Sequence, residues 1–392
     1  MTPPATGSIS QEAETARSSV RDQTPHDEAR LLFLLSRLPQ HVVGRTNELV
    51  QLARSVDQER FVEACTAHAV YPLVYENLKR DVPEVAPELL RRLEPLFHAS
   101  FRNGLLLTHA LFDVLDYLGK AGIRSVCFKG PVFAAQRYGD LRRRVYGDLD
   151  LFVRVADVNA AAATLRELGF RQIDPLPENL RGTFRGYWPF GHPHGNAVGF
   201  ARAASVDGQV DVDLQWGVAP HFLKIPIDPA PLLGRAEFVE LQGRHVETFD
   251  AEDTLVLMCL HGAKHAWTEL RQIVDVAACI PADPSFDWDR VSGQIADAGI
   301  VRMCALAFRL AEEVAGASVP DTQRARLLNE RERTRMDALV ARVMEWRFGP
   351  SVTSPRSDRR RLLGALRFHL QSRDRLVDGL GSVVFHVRDL KR

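Results

Sequence analysis

The sequence predicts an α+β fold in which a small mixed β-sheet is flanked by N-terminal and C-terminal helical regions. Three observations carry this prediction. Apolar residues recur at helical spacing from residue 28 to about residue 120, short apolar segments bounded by glycines follow, and helical spacing returns from Glu252 to about Val343. Helices, then a strand–helix–strand segment, then helices again is an order typical of α+β proteins.

Five segments are predicted along the chain. Residues 1–25 are polar and are expected to form a flexible tail, and residues 26–120 form the N-terminal helical region. Residues 121–250 contain the sheet core, and residues 251–345 form the C-terminal helical region. Residues 346–392 are expected to form a basic tail with one further helix.

The helices of the N-terminal region are predicted from apolar spacing and from breaks at proline. The first ends before Pro39, and the second is predicted to run from Glu48 to His68. A short helix from Leu73 to Lys79 precedes a long helix from about Pro87 to Lys120, whose leucines lie on one side.

The elements of the sheet core follow in order. Ser125 to Phe128 is a short apolar run that predicts a buried strand, and Gly130-Pro131 opens a helix that ends near Tyr138. The segment from Asp148 to Val153 is the clearest strand, and a helix is predicted after it from Val158 to Leu168.

A second pair of strands completes the predicted sheet. Ala197–Ser205 and Gln209–Trp216 are predicted to form a hairpin. Residues 174–195, which precede it, are rich in proline, glycine, arginine and aromatic residues and are expected to form a long loop. Two interpretations of this loop stay open. In the first, it binds substrate, by stacking on a base or by holding an acceptor. In the second, it has no role of this kind.

Composition limits the classes of protein that the chain can belong to. Apolar residues make up 45% of the chain and charged residues 26%, which is typical of a globular protein. The 50 basic and 50 acidic residues cancel, so the charge balance gives no support for binding to long nucleic acids. The five scattered cysteines, the polar N-terminus and the lack of a long apolar run predict a cytoplasmic protein with free thiols and no membrane span.

Three acidic residues form the candidate catalytic and metal-binding set. Side chains alternate along a strand, so Asp148 and Asp150 point to the same face. Asp213 repeats this pattern on a later strand, with Asp211 as the alternative third acid. Adjacent carboxylates repel each other, and a divalent cation relieves this repulsion. Magnesium prefers such oxygen ligands, with manganese as the alternative, and two such ions can clamp a triphosphate.

A phosphate cradle is predicted upstream of these acids. Lys129 and Gly130 lie at the junction of a strand and a helix, where free amide groups and the helix dipole favour phosphate. Gly130 permits a close approach of the backbone, and Lys129 adds a positive charge. Arg144 precedes the acids by four residues, and two roles stay open for it: a phosphate contact or a structural ion pair.

The order of these residues resembles a bacterial family of uncharacterised nucleotidyltransferases within the DNA polymerase β-like superfamily. The matching positions are Phe128-Lys129-Gly130, Tyr138, Arg144, Asp148 to Val153 and Asp213-Leu214-Gln215-Trp216. A later helix of the family matches Leu257, His261, Lys264, His265, Leu270, Arg271 and Asp275. Gln215 stands where the family usually carries histidine. The resemblance covers roughly residues 30–310.

The resemblance implies transfer of a nucleotide from a nucleoside triphosphate, with ATP as the expected donor, and release of pyrophosphate. It implies a nucleotidyltransferase core at residues 121–250, with Asp148, Asp150 and Asp213 as catalytic and metal-binding residues. The nucleotide-binding residues implied are Lys129, Gly130, Arg144 and Lys264. A small molecule, a sugar or a peptide is the expected acceptor, and a nucleic acid is not expected.

Three questions stay open at the level of sequence. His261 and His265 lie four residues apart on one helix face and suit a structural contact or a contact with substrate. Zinc is disfavoured there, because Gly262 replaces the glutamate of the His-Glu-x-x-His motif. Two alternative functions also remain: a non-catalytic nucleotide-binding module, and a toxin-type enzyme that nucleotidylates a partner protein. The third question is the choice between Asp211 and Asp213.

Overall fold

Along the chain, helices precede and follow a five-stranded mixed sheet. The predicted α+β class is therefore confirmed. The computed structural model describes residues 27–41, 44, 46–173, 176, 196–204, 208–219, 223, 225–281, 283, 285–348, 368, 372 and 374. The predicted N-terminal tail, nearly all of the predicted loop 174–195 and most of the predicted C-terminal tail lie outside these residues.

The N-terminal helices precede the sheet. They are α1 (27–35), α2 (Asn47–Ser55), α3 (Gln58–Ala67), α4 (Tyr71–Asp81) and α5 (Pro87–Lys120). The prediction of one helix from Glu48 to His68 was wrong. Val56 and Asp57 interrupt it, because the Asp57 carboxylate accepts a hydrogen bond from the backbone N–H of Arg60 at 3.0 Å and starts α3 there.

The sheet and the helices around it follow. The strands are β1 (Ser125–Cys127), β2 (Asp148–Val153), β3 (Arg171–Gln172), β4 (Ala197–Ala203) and β5 (Gln209–Gln215). The helices between them are α6 (Gly130–Tyr138) and α7 (Val158–Glu167). The strand order is β1-β2-β5-β4-β3, with β2 and β5 parallel. The predicted hairpin is confirmed, since β4 and β5 pair antiparallel.

The chain then returns to helices after one further hairpin. This part contains α8 (Pro229–Arg235), β6 (Glu237–Leu241), β7 (Arg244–Thr248), α9 (Ala251–Lys264), α10 (Leu270–Cys279), α11 (Trp288–Asp297), α12 (Val301–Ala315), α13 (Asp321–Leu327) and α14 (Glu330–Phe348). The β6–β7 hairpin was not predicted. Its turn places Gln242 and Gly243 at φ +51° and +78°, the backbone that a two-residue hairpin turn requires.

Two hydrophobic clusters hold these elements together. One lies against the sheet and contains buried residues of β2, β4, β5 and α7. The other contains buried residues of both the N-terminal and the C-terminal helices, so these two regions share one core. Helix α5 belongs to both: Leu89 and Leu93 pack in the shared helical cluster, and Leu111 and Val114 pack against the sheet. No helix in the described part of the chain is long and apolar enough to cross a membrane.

Candidate active site

The three acidic residues meet at the junction of β2 and β5. The parallel register places Asp150 opposite Asp213 and Asp148 opposite Asp211. One oxygen from each of Asp148, Asp150 and Asp213 lies within 4.8 Å of the others. Asp211 is not part of this cluster, and its Oδ1 accepts a hydrogen bond from Nε2 of Gln209 at 2.6 Å. The geometry therefore selects Asp213 as the third member of the cluster.

Asp150 is tied to its surroundings by two donors. The Nζ of Lys129 and the Nε2 of Gln215 both donate to its Oδ1, at 2.8 Å and 2.6 Å. Among the described residues, the carboxylates of Asp148 and Asp213 accept no hydrogen bond. Asp150 is thus held in place by hydrogen bonds, and the carboxylate oxygens of Asp148 and Asp213 are left to a ligand.

Helix α6 begins directly beside the acids. Lys129 is its N-cap residue, and no side-chain hydrogen bond caps the helix. Gly130 has φ +60°, and a Cβ atom there would lie 3.2 Å from the backbone oxygen of Asp148. The start of the helix and the start of β2 are therefore in close contact, and the phosphate cradle stays a prediction.

Gly130→Ala is expected to lower the free energy of unfolding by about 1–2 kcal/mol, because alanine resists positive φ. The new Cβ atom also approaches the Asp148 carbonyl oxygen, so a shift of β2 is expected. Chemical denaturation measures the change. Gly119→Ala is the control, since Gly119 lies inside α5 with open space around it. That substitution is expected to be neutral or slightly stabilising, and an equal loss in both variants would contradict the proposed contact.

The acids destabilise one another's charged forms. Burial, together with the charge of Asp150, raises the pKa of Asp148. Burial and the charges of Asp150 and Asp148 raise the pKa of Asp213 to about 6, although Lys129 and Lys264 act in the opposite direction. Without a cation the site therefore holds charge that the fold does not fully balance.

The stability of the metal-free protein is expected to fall as pH rises from about 4 to 7. Asp213 titrates near 6 in the folded chain and near its ordinary 3.8 when unfolded. Between pH 3.8 and about 6 the folded state binds a proton on Asp213 that the unfolded state has lost. The stability that this proton contributes is therefore complete below the unfolded pKa of 3.8 and is lost above about pH 6. The loss is about 1–3 kcal/mol. Denaturation in a chelator at several pH values measures it, and Asp213→Asn is expected to flatten the slope; an unchanged slope would refute the assignment.

A basic group faces the acids from the C-terminal helical region. Lys264 lies at the end of α9, close enough to Asp213 and Lys129 for their charges to act on it. Burial is the larger cause that lowers the pKa of Lys264, and the positive charge of Lys129 is the next. His261, one turn earlier, also has a lowered pKa, through burial and the charge of Lys129. Arg271 on α10 acts on the pKa of Asp148, and its guanidinium also pairs with Glu269. The predicted site residue Lys264 thus lies at the acids.

The two histidines of α9 have different surroundings. The rings of His261 and His265 are 4.8 Å apart and meet edge to face. His261 is half-buried towards Lys129, whereas His265 is exposed. Among the described residues, the metal-type cluster is formed by the three aspartates and includes neither histidine. A contact of His261 with the site residues therefore fits the structure better than a zinc pair.

A strained corner joins α9 to α10. Ala266 and Trp267 both have positive φ, +49° and +56°, and both are buried. Such backbone costs about 1–3 kcal/mol for each residue and persists only where packing enforces it. The Trp267 ring fills the space over Gly262, where a Cβ atom would lie 2.0 Å from it. This corner joins the end of α9, which carries Lys264, to the start of α10, which carries Arg271.

Arg144 lies in a fully buried ion pair. Its Nε and Nη2 donate to the two oxygens of Asp275 on α10 at 2.7 Å and 2.9 Å, and the Tyr138 hydroxyl donates to the same carboxylate at 2.7 Å. Both charged side chains are 1% exposed. Burial would raise the pKa of Asp275, but the charge and hydrogen bonds of Arg144 outweigh it and hold the pKa below its usual value. Of the two roles left open for Arg144, these contacts are those of the structural ion pair. A contact of Arg144 with phosphate stays a prediction.

The donor set at the acids fits a hard divalent cation. All three side chains offer carboxylate oxygens, the ligands that magnesium and manganese prefer. Their oxygens lie within 4.8 Å of one another, on the order of two magnesium–oxygen bond lengths of about 2.0–2.1 Å each. The raised pKa values of Asp148 and Asp213 also indicate an unmet need for positive charge.

Some residues of the site did not appear among the sequence-based candidates. Gln215 was noted only as a departure from the family pattern, yet its amide contacts Asp150. Arg271 and Asp275 were noted as matching positions without a settled role. The charge of Arg271 acts on Asp148, and Asp275 accepts hydrogen bonds from Arg144. Spacing along the later helix was the signal for both, since residues four apart share a helix face.

A mixed sheet that carries clustered carboxylates beside a glycine-opened helix defines a protein of the nucleotidyltransferase class. The chain belongs to the family described as "Uncharacterised nucleotidyltransferase", whose model matches residues 54–316. This confirms the resemblance noted from the sequence. A search of curated proteins gives no significant match.

A solved structure also matches the chain. It is the crystal structure of an antigenic nucleotidyltransferase-like protein from Paracoccidioides brasiliensis, with 16% sequence identity and a TM-score of 0.32. The match covers 49% of this chain and 86% of that chain.

Proposed function

We propose that this protein transfers a nucleoside monophosphate from a nucleoside triphosphate, with ATP as the expected donor, to an acceptor. The observation that carries the proposal is the cluster of Asp148, Asp150 and Asp213 within 4.8 Å, directly beside the uncapped start of α6. Membership of a nucleotidyltransferase family supports it. Carboxylates in such a cluster have no evident structural purpose, since burial and mutual repulsion make them costly.

The reaction requires a triphosphate to be held and an acceptor oxygen to be activated. In this proposal the acceptor oxygen forms a bond to the α-phosphorus, and the bond from that phosphorus to the pyrophosphate oxygen breaks. The acceptor proton passes to Asp213, whose carboxylate lies in the cluster and can act as a general base. Magnesium, or manganese, held by the three aspartates would supply positive charge to the triphosphate oxygens.

The remaining site residues bind the triphosphate in this proposal. The first amides of α6, opened by Gly130, face phosphate in the way that helix N-termini do. Lys129 and Lys264 bring positive charge from two different elements. In this proposal Arg144 acts on the site through its ion pair with Asp275. It would contact the nucleotide directly only if a phosphate displaced that pair.

The acceptor is proposed to be a small molecule, a sugar or a peptide. The equal numbers of acidic and basic residues argue against a long nucleic acid. A cytoplasmic location is part of the proposal and is supported by the five buried, free cysteines.

Nucleotide binding tests the proposal without knowledge of the acceptor. ATP with magnesium at a hundredfold excess over its dissociation constant is expected to stabilise the protein by about 2.7 kcal/mol. Pyrophosphate release or labelling from each labelled triphosphate then reports transfer. The variant with Asp148→Ala and Asp150→Ala is expected to lose both responses, and Asp211→Asn is expected to keep them. Transfer that survives the double change would rule out this mechanism, and binding without transfer to any offered acceptor would favour a non-catalytic module.

A further inference from the structure

The two hydrogen bonds on Asp150 converge on a single oxygen. Lys129 donates to Oδ1 at 2.8 Å, and Gln215 donates to the same atom at 2.6 Å. The Asp150 side chain is 2% exposed, so water does not compete for this oxygen. Among the described residues, no donor contacts Oδ2. The carboxylate is therefore fixed in orientation, with one oxygen saturated and the other free.

We propose that Gln215 is a positioning residue that sets the orientation of Asp150 for a divalent cation. The proposal rests on the metal-binding role of the three aspartates given above. Gln215 and Asp150 lie on neighbouring parallel strands, and Gln215 is opposite Phe152, two residues beyond Asp150. Its amide therefore reaches back across the strand pair to hold Oδ1, and Oδ2 remains for the cation.

An amide is well suited to this position. Asp150 is buried beside two other carboxylates, and a buried charge of this kind requires hydrogen bonds. Lys129 supplies one, together with a positive charge. A second cationic donor would repel the divalent ion, whereas an amide N–H stabilises the carboxylate without adding net charge. Partners of this type around metal ligands orient the ligand and raise metal affinity.

The same strand contains a matched control. Gln209 donates through its Nε2 to Asp211 Oδ1 at 2.6 Å, the same distance as the bond from Gln215 to Asp150. Both glutamines lie on β5 and both donate to an aspartate, but the Gln209–Asp211 bond is exposed and lies within β5, whereas the Gln215–Asp150 bond is buried and crosses to β2. Only Asp150 belongs to the metal-type cluster. Loss of the Gln209 bond therefore shows what removing a glutamine–aspartate bond from β5 does outside the cation site, and the melting temperatures report the part that is due to burial.

Binding of Mn²⁺ alone, measured from the free-ion paramagnetic resonance signal, tests the proposal on the full chain. Gln215→Leu is expected to weaken Mn²⁺ binding by about 10–100-fold. Gln209→Leu is expected to bind Mn²⁺ within about twofold of the parent. Gln215→His, whose ring N–H can donate to the same oxygen, is expected to recover most of the affinity lost in the leucine variant. Thermal melting without metal checks that each variant is folded.

Two results would overturn the proposal: parental Mn²⁺ affinity in folded Gln215→Leu, or a histidine variant as weak as the leucine variant. If Gln215→Leu does not fold, Gln215→Met, which is unbranched and of similar length, is judged by the same criteria. A parent that binds Mn²⁺ but releases no pyrophosphate would count against nucleotidyl transfer and leave this inference standing. A parent that binds no Mn²⁺ would overturn the inference itself.

Discussion

Asp213→Asn is expected to lower the rate of nucleotidyl transfer by about 10³-fold or more, since loss of a metal ligand and general base removes several kcal/mol of transition-state stabilisation. The carboxylate lies within 4.8 Å of those of Asp148 and Asp150, and asparagine keeps the shape while removing the charge. Pyrophosphate release with saturating magnesium and ATP measures the effect, and Mn²⁺ binding shows whether the cation site is lost as well.

Asp211→Asn is the matched control for this prediction. Asp211 lies two residues earlier on β5, on the same face, opposite Asp148. Its carboxylate accepts a hydrogen bond from Gln209 and lies outside the cluster. Its substitution is expected to change transfer by less than about threefold, as is usual for surface changes. Loss of activity in Asp211→Asn with retention in Asp213→Asn would reverse the assignment of the third acid.

Arg144→Met is expected to lower the free energy of unfolding by about 3–5 kcal/mol, because it leaves a buried carboxylate without its cation. Among the described residues, Asp275 then keeps only the Tyr138 hydroxyl as a direct donor, and both charged side chains are 1% exposed in the intact pair. The pair joins the chain just before β2 to α10, so loosening of the site is expected as well. Chemical denaturation of the metal-free protein measures the loss.

Two controls separate this effect from a general loss of charge. Arg91 on α5 makes the same two-bond contact with Glu88, but its side chain is 72% exposed, so Arg91→Met is expected to lower the free energy of unfolding far less than Arg144→Met does. The triple variant Arg144→Met, Asp275→Leu and Tyr138→Phe removes every polar partner together and is expected to be more stable than Arg144→Met alone. A triple variant less stable than the single one would show that the unpaired Asp275 carboxylate is not the source of the loss.

The sequence by itself determined the local features of this protein. Alternation at Asp148 and Asp150 predicted a strand with both acids on one face, and the structure has β2 at Asp148–Val153. A helix that begins at Gly130-Pro131 and ends near Tyr138 was predicted, and α6 spans Gly130–Tyr138 with Gly139 at φ +69°. These features depend on backbone preferences and on neighbours within a few residues, so they can be read from a single chain.

Only the tertiary structure decided which distant residues meet. The parallel pairing of β2 with β5 joins Asp213, and not Asp211, to the other two acids, and a shift of two residues would have reversed that choice. The pairing of Arg144 with Asp275, 131 residues apart, and the reach of Gln215 to Asp150 also depend on strand order and helix packing. Such contacts follow from how whole elements bury their apolar faces together, which local sequence spacing does not specify.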